Sequence, residues 1–165
     1  NQLFELSKLE SGQSQPATEV FSIEELAHDV TAKYQPLADQ KQVSLTASKP
    51  QALRHVRADI SMIERTLDNL IENALRFTPP EGQISIELQQ DEGDVLIDVT
   101  DTGAGIPADE LPHIFDRFYR VRRHPDGTGL GLAISQRILE AHERSISVKS
   151  RVNEGSVFSF SLPCA

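Results

Sequence analysis

The sequence contains one cysteine, Cys164, which excludes an internal disulfide and a cysteine-based zinc site and is compatible with a reducing compartment. Long apolar runs are also missing, and the longest fall far short of the ~20 residues that a membrane helix needs. Cations are in deficit, with 16 Lys and Arg against 25 Asp and Glu and a net charge of −9. This balance argues against nucleic acid or an anionic membrane surface as a partner. No secretory signal opens the chain. We expect instead that the chain starts inside a longer protein.

What is present is ordinary for a globular protein. The chain has 165 residues, of which 38% are hydrophobic and 25% charged. This length is close to the ~150-residue prior for one domain, so we expect one compact core.

Helical periodicity appears in four places. Residues 1–12 resemble the last turns of a helix, and residues 13–18 are a linker by composition. Three further helices are predicted where a capping residue or a glycine precedes apolar residues at helical spacing, namely over 22–41, 59–77 and 130–142.

Strand patterns fill much of the remainder. Short alternating runs predict strands at residues 43–47, 52–56, 83–89, 95–99, 145–149 and 156–162. Residues 102–131 are irregular, with short helical patches around 109–111 and 113–118, and so long a loop usually carries function. The order of elements implies an α+β fold, a two-layer α/β sandwich whose mixed, mostly antiparallel sheet has helices packed on one face.

The helix over 59–77 carries a polar stripe beside its apolar one. Asn69, Glu72, Asn73 and Arg76 lie at i, i+3, i+4 and i+7, so they share one face. Amide and carboxylate oxygens suit Mg²⁺, and a guanidinium pairs with phosphate. The alternative, for the stripe taken alone, is an ordinary solvated helix face.

Two glycine-rich segments follow. Asp101 comes directly after a strand, with Gly103 and Gly105 beyond it; its carboxylate could accept a hydrogen bond from an exocyclic amine such as that of adenine. A turn without a ligand explains this segment nearly as well. Gly127, Gly129 and Gly131 open the last helix, whose exposed N–H groups and dipole would favour phosphate. The Walker loop and the protein-kinase signatures are absent.

The combination of segments, in this order, resembles the ATP-binding catalytic domain of bacterial sensor histidine kinases. That family shares the Bergerat fold of gyrase-type ATPases and certain ATP-driven chaperones. Residues 70–79 resemble its N box, 101–106 its G1 box, 114–120 its F box and 127–134 its G2 box. The resemblance covers roughly 21–162. It implies a division into residues 1–15, the end of a dimerisation helix with its linker, and 16–165, the catalytic ATP-binding domain.

The resemblance also implies roles for individual residues. Asn73 would bind Mg²⁺, and Glu72 would be the base that accepts a proton from the acceptor imidazole. Asp101 would take the adenine amine, and Phe115 and Phe118 would anchor a mobile lid between Tyr119 and Asp126. The residues expected to bind the nucleotide are Asn69, Asn73, Arg76, Phe77, Asp101, Gly103, Gly105, Ile106, Phe115, Phe118, Tyr119, Arg120, Gly127, Thr128, Gly129, Leu130, Gly131, Leu132 and Ser156.

Some positions depart from the family pattern. Phe77 replaces a common Tyr, the lid is short and contains Pro125, and Ser156 stands in the usual place of Thr in the last box. The lid has a local cationic patch, Arg120, Arg122 and Arg123, which a polyphosphate would need in so acidic a protein.

The implied reaction is transfer of the γ-phosphoryl group of ATP, with Mg²⁺, to a histidine on a dimerisation stem that is absent from this chain. A response-regulator aspartate would receive it next in the phosphorelay. The implied setting is the cytoplasmic part of a homodimeric membrane receptor in the bacterial inner membrane. The acceptor motif is missing, since His28-Asp29 is not followed by the required proline. We therefore expect no autophosphorylation by this chain alone.

Three alternatives belong to other classes of protein. The first is a gyrase- or chaperone-type ATPase in which Glu72 activates water. The second is a nucleotide-sensing module without catalysis, against which Glu72, Asn73 and Asp101 argue. The third is a serine kinase acting on an anti-sigma-type partner, although such proteins usually lack this F box.

Overall fold

A computed structural model of the chain describes residues 1–121 and 127–165. Four α-helices are described, α1 (Gln2–Glu10), α2 (Ile23–Gln40), α3 (Ile60–Phe77) and α4 (Gly131–Ala141), with a 3₁₀ turn at Leu111–His113. Helix α2 begins at Ser22, whose hydroxyl accepts from the Glu25 amide at 3.2 Å, and α3 begins at Asp59, whose carboxylate accepts from the Met62 amide at 3.1 Å. Both side chains satisfy amides that a helix start leaves without partners. The helices expected from the periodicity are confirmed.

Seven strands form two sheets in the described part of the chain. They are β1 (Glu19–Phe21), β2 (Ser44–Ala47), β3 (Val56–Ala58), β4 (Gln83–Asp91), β5 (Asp94–Asp101), β6 (Ser147–Arg151) and β7 (Gly155–Pro163). The main sheet has the order β2-β4-β5-β7-β6, with β2 parallel to β4 and every other pair antiparallel. Strands β1 and β3 form a small antiparallel sheet. The prediction of a mixed, mostly antiparallel sheet is confirmed.

The core lies between one face of the main sheet and helices α2 and α3. Every second residue is buried along β5 and β7, and along β4 as far as Leu88, as the two-residue period of a strand requires. On α3 the buried residues form an apolar stripe that includes Ile63, Leu67, Leu70 and Ile71. The predicted two-layer sandwich with helices on one face is confirmed.

A second, smaller apolar cluster joins α1 to α4. Leu6 is fully buried there among Leu130, Ala133, Ile134 and Ile138. Polar contacts flank it, since Arg65 Nε lies 3.0 Å from Glu5 Oε1 and Arg117 pairs with Glu10. Helix α1 is thus packed against the helix that begins at the glycine-rich segment.

Three local predictions are wrong. The strand expected at 52–56 is reduced to Val56, where β3 begins, because Ala52 has φ +57° and bends the chain. Residues 19–21, assigned to no element, form β1, whose partner β3 is distant in sequence. The helical patches of the irregular segment shrink to one 3₁₀ turn, and Phe118 with φ +61° excludes a helix there.

No helix among the described residues combines the length and the apolar character that a bilayer crossing requires.

Candidate functional site

The polar stripe of α3 forms one wall of a cleft, and the start of α4 forms another. Twelve of the residues expected from the sequence line this cleft, namely Asn69, Glu72, Asn73, Arg76, Phe77, Ile106, Tyr119, Arg120, Thr128, Gly129, Gly131 and Leu132. Gln2, Ile114 and Val121 also line it and were missed. Ile114 lies in the F-box segment, so its position near the site could have been found from that motif. Gln2 belongs to no motif and reaches the cleft only because α1 packs against α4.

Asn69 ties the two helices together. Its side chain is buried, and Nδ2 donates to the carbonyl oxygen of Gly131 at 3.0 Å and lies 3.1 Å from the hydroxyl of Ser135. Its Oδ1 is buried and accepts no hydrogen bond from the described residues. A buried acceptor without a partner is costly, so this oxygen is a natural place for a ligand to bind.

Glu72 is exposed and has a hydrogen-bond partner on another helix. The Tyr34 hydroxyl, on α2, donates to Glu72 Oε1 at 2.7 Å. One turn earlier on α3, Asp68 Oδ1 lies 2.7 Å from Lys33 Nζ. Burial, followed by the hydrogen bond to Glu72 and the nearby carboxylates, raises the pKa of Tyr34, which keeps the phenol protonated as a donor.

The start of α4 is held open by glycine. Gly129 has φ +75°, and a Cβ there would lie 2.5 Å from the carbonyl carbon of Phe118. The Phe118 amide donates to the Gly129 carbonyl at 2.9 Å. Leu130, at the N-cap, supplies no side-chain cap, so the first amides of α4 are available to an anion.

Thr128 connects this segment to α1. Its hydroxyl donates to Gln2 Oε1 at 2.6 Å and accepts from the Leu130 amide at 3.3 Å.

Cations lie near the same place. The Arg76 guanidinium packs against Gly127, where a Cβ would come within 2.8 Å of its central carbon. Arg120 lines the cleft. Arg122, Arg123, Pro125 and Asp126 of the expected lid lie outside the described residues.

Asp101 ends β5 beside the cleft, in a neighbouring groove that it shares with Ser150, Ser156 and others. Its carboxylate is buried and accepts from the Gly103 amide at 2.8 Å and from the backbone of Ser156. Burial raises the pKa of Asp101, although the two backbone hydrogen bonds act in the opposite direction. Ile106, five residues on, reaches the cleft itself.

The remaining expected residues do not line the cleft. Phe115 packs edge-on against Phe158 with ring centroids 6.3 Å apart. The Phe118 ring is 56% exposed, and the Phe118 amide donates to the Gly129 carbonyl. The expected role of Phe118 as an anchor of the lid stays a prediction. Five further expected residues are not in the cleft lining, and one of them, Ser156, lines the neighbouring groove; the five are Gly103, Gly105, Gly127, Leu130 and Ser156.

A metal ion in the cleft would depend on amide oxygens. Among residues 1–121 and 127–165 no cluster of three or more His, Cys, Asp or Glu has metal-binding geometry. The cleft instead offers Oδ1 of Asn69, which accepts no hydrogen bond from the described residues, and the amide of Asn73. This oxygen set fits Mg²⁺, which takes few protein ligands and keeps waters and phosphate oxygens.

Fold and site together define an α/β sandwich in which one helix carries a stripe of amides, a carboxylate and a cation. This stripe faces the start of a second helix that has no side-chain cap. Residues 58–165 match the family described as histidine kinase-, DNA gyrase B-, and HSP90-like ATPase. The chain belongs to this family, and the resemblance seen in its four motifs is confirmed.

Its relatives are sensor histidine kinases. The chain is 32% identical over 166 residues to the sensor-like histidine kinase SenX3 of Mycolicibacterium smegmatis, covering 98% of this chain and 43% of SenX3. It is 36% identical over 162 residues to the sensor histidine kinase RppB of Synechocystis, covering 96% and 36%. The crystal structure of full-length ShkA in complex with AMPPNP superposes with a TM-score of 0.90 at 27% identity, covering 100% and 35%. The chain thus spans less than half the length of these relatives.

Proposed function

We propose that this chain binds ATP with Mg²⁺ and transfers the γ-phosphoryl group to a histidine on a dimerisation stem joined to α1. The observation that carries the proposal is the polar stripe of α3 facing the uncapped start of α4 across one cleft. The proposal is supported by relatives named as sensor histidine kinases and by a structural neighbour in complex with AMPPNP. The stem, a homodimer, a response-regulator aspartate as the next acceptor and an inner-membrane anchor belong to the proposal.

In the proposed complex the phosphates lie against the first amides of α4 and near Arg76. Asn73 and Asn69 would hold Mg²⁺ through their amide oxygens, and a bound ion would supply neutralisation of the phosphate charge. Asp101 accepts from the adenine amine, with Gly103, Gly105 and Ile106 shaping the turn around the base. Arg120 adds charge at the mouth of the cleft.

The proposed transfer needs a base. A nitrogen of the acceptor imidazole attacks the γ-phosphorus, the new N–P bond forms, and the bond from phosphorus to the β,γ-bridging oxygen breaks, so that ADP leaves with the electron pair. The N–H proton of the imidazole passes to the carboxylate of Glu72, which is exposed at the cleft and can therefore meet a group arriving from outside. Most of the rate enhancement comes from positioning and charge neutralisation.

Residues 1–15 are proposed as the end of the dimerisation helix with its linker, and 16–165 as the catalytic domain. The burial of Leu6 against α4 supports direct coupling between the two.

The gyrase- or chaperone-type ATPase, in which Glu72 would activate water, is not favoured, because the relatives are sensor kinases and the F-box segment is present.

The test is phosphorylation of the complete protein, stem included, with labelled ATP. The proposal predicts acid-labile, base-stable phosphate on the stem, formed far more slowly in Glu72→Gln and at the wild-type rate in Glu81→Gln, a control at an exposed turn. This chain alone should gain none. Steady release of inorganic phosphate without labelled protein would overturn the proposal in favour of the ATPase.

A further inference from the structure

Tyr34 lies on α2, outside the four motif segments, yet it contacts the proposed base. Its ring is partly buried and packs against the main core, which fixes the position of the hydroxyl. The hydroxyl donates to Glu72 Oε1 at 2.7 Å across 38 positions of sequence. No other hydrogen bond of the Glu72 side chain occurs among the described residues, so Tyr34 is the contact that restrains it.

The neighbouring charges direct this hydrogen bond. Asp68 and Glu72 are four residues apart on α3, a spacing at which two carboxylates repel each other. Lys33 pairs with Asp68 at 2.7 Å and also lies 5.5 Å from the centre of the Tyr34 ring. Lys33 therefore offsets the charge of Asp68. Asp68 also lies close enough to the Tyr34 hydroxyl to contribute to its raised pKa, with a smaller effect than the hydrogen bond to Glu72.

An exposed glutamate without such a contact samples several side-chain rotamers. A general base must lie within hydrogen-bonding distance of the proton that it accepts, so a freely rotating carboxylate loses rate through poor positioning. Tyr34 occupies one carboxylate oxygen and leaves the other for the incoming proton.

We propose that Tyr34 is a positioning residue for the phosphoryl transfer, acting through Glu72. The inference rests on the proposed function, because it takes Glu72 as the base. Tyr34 touches neither nucleotide nor acceptor, since it does not line the cleft. Its removal should therefore lower kcat and leave nucleotide binding as it was.

The experiment measures autophosphorylation of the complete protein at varied ATP concentration. Tyr34→Phe keeps the ring and removes only the hydroxyl, and the expected result is a roughly tenfold or greater fall in kcat with KM for ATP within about twofold. Gln35→Ala is the matched control, because the side chain of the adjacent Gln35 bonds within α2, to Asp39 at 2.9 Å, and to no other described residue. The control should keep the wild-type kcat.

A second comparison separates positioning from a general structural effect. In the Glu72→Gln background, Tyr34→Phe should change the residual rate by less than about twofold, because the group it positions is gone. An unchanged kcat for Tyr34→Phe, or an equal fall in both backgrounds, would overturn the positioning role. A Glu72→Gln protein with the wild-type rate would instead overturn the proposed function and the positioning role with it.

Discussion

Asn69 donates from Nδ2 to the carbonyl oxygen of Gly131 at 3.0 Å, which joins the middle of α3 to the first turn of α4. The same side chain leaves Oδ1 without a partner among the described residues. One amide therefore serves both halves of the site, since its nitrogen sets the spacing of the two helices and its oxygen is free for a ligand.

Replacing Asn69 by alanine should destabilise the domain even without nucleotide. The change removes the hydrogen bonds from Nδ2 to the partly buried carbonyl of Gly131 and to the hydroxyl of Ser135, and together these are expected to contribute roughly 1–3 kcal/mol. Denaturant unfolding measures this. The control is Asn73→Ala, whose side chain is half-buried and makes no hydrogen bond within the described residues, so its stability should stay within about 0.5 kcal/mol of wild type. Equal stabilities of the two variants would contradict the structural role of Asn69.

Gly129→Ala should disrupt the start of α4. Alanine is strained at φ +75°, and its Cβ would meet the Phe118 backbone at 2.5 Å, so the segment has to move. We expect nucleotide affinity to fall about tenfold or more, because the amides that receive phosphate move with it. Gly93→Ala is the matched control, since a Cβ there meets nothing within 4 Å. Full affinity in Gly129→Ala by titration would show that this conformation is not needed.

The contact of α1 with α4 can be tested at Leu6. Leu6→Ala removes a fully buried side chain from a cluster with Ile134 and Ile138, and the expected loss is about 2–5 kcal/mol unless α1 undocks first. Undocking would appear as faster amide hydrogen exchange in α1 with the rest of the domain protected. Leu3→Ala on the same helix, at a residue 43% exposed, should change neither quantity appreciably. A Leu6→Ala protein identical to wild type in both measurements would contradict the docking of α1.

Asp101 should make stability depend on pH. Burial raises its pKa above the ordinary value of 3.8, so the folded state favours the protonated carboxyl. The stabilisation that the protonated Asp101 carboxyl contributes is fully present below the pKa that Asp101 has in the unfolded chain. It is lost as the pH rises through the pKa of Asp101 in the folded protein. The free energy of unfolding of wild type relative to Asp101→Asn should therefore fall as the pH rises from about 4 towards neutrality. A difference that is flat over this range would contradict the burial of a charged carboxylate.

Local sequence signals predicted the features that depend on local chemistry. Ser22 and Asp59 cap helices because their side chains accept hydrogen bonds from amides only three residues away. The glycines before α4 likewise indicate a helix start without a side-chain cap. Strand β1 was missed because its partner β3 lies far along the chain and three residues carry no pattern.

The same limit applies inside the site. The spacing of Asn69 and Glu72 on one helix face follows from the sequence, and the structure places both in the lining of the cleft. The hydrogen-bond partners of the site residues do not follow from the sequence. Tyr34 reaches Glu72, and Gln2 reaches Thr128, only because whole helices pack together.

The most direct test of the account is a calorimetric titration of this chain with AMPPNP, with and without Mg²⁺, beside Asp101→Ala. The account predicts saturable binding tighter than about 1 mM, which corresponds to roughly −4.1 kcal/mol, strengthened by Mg²⁺ and lost in the variant. An absence of binding heat under every condition, together with no nucleotide-dependent shift in thermal unfolding, would contradict the assignment of the cleft between α3 and α4 as an ATP site.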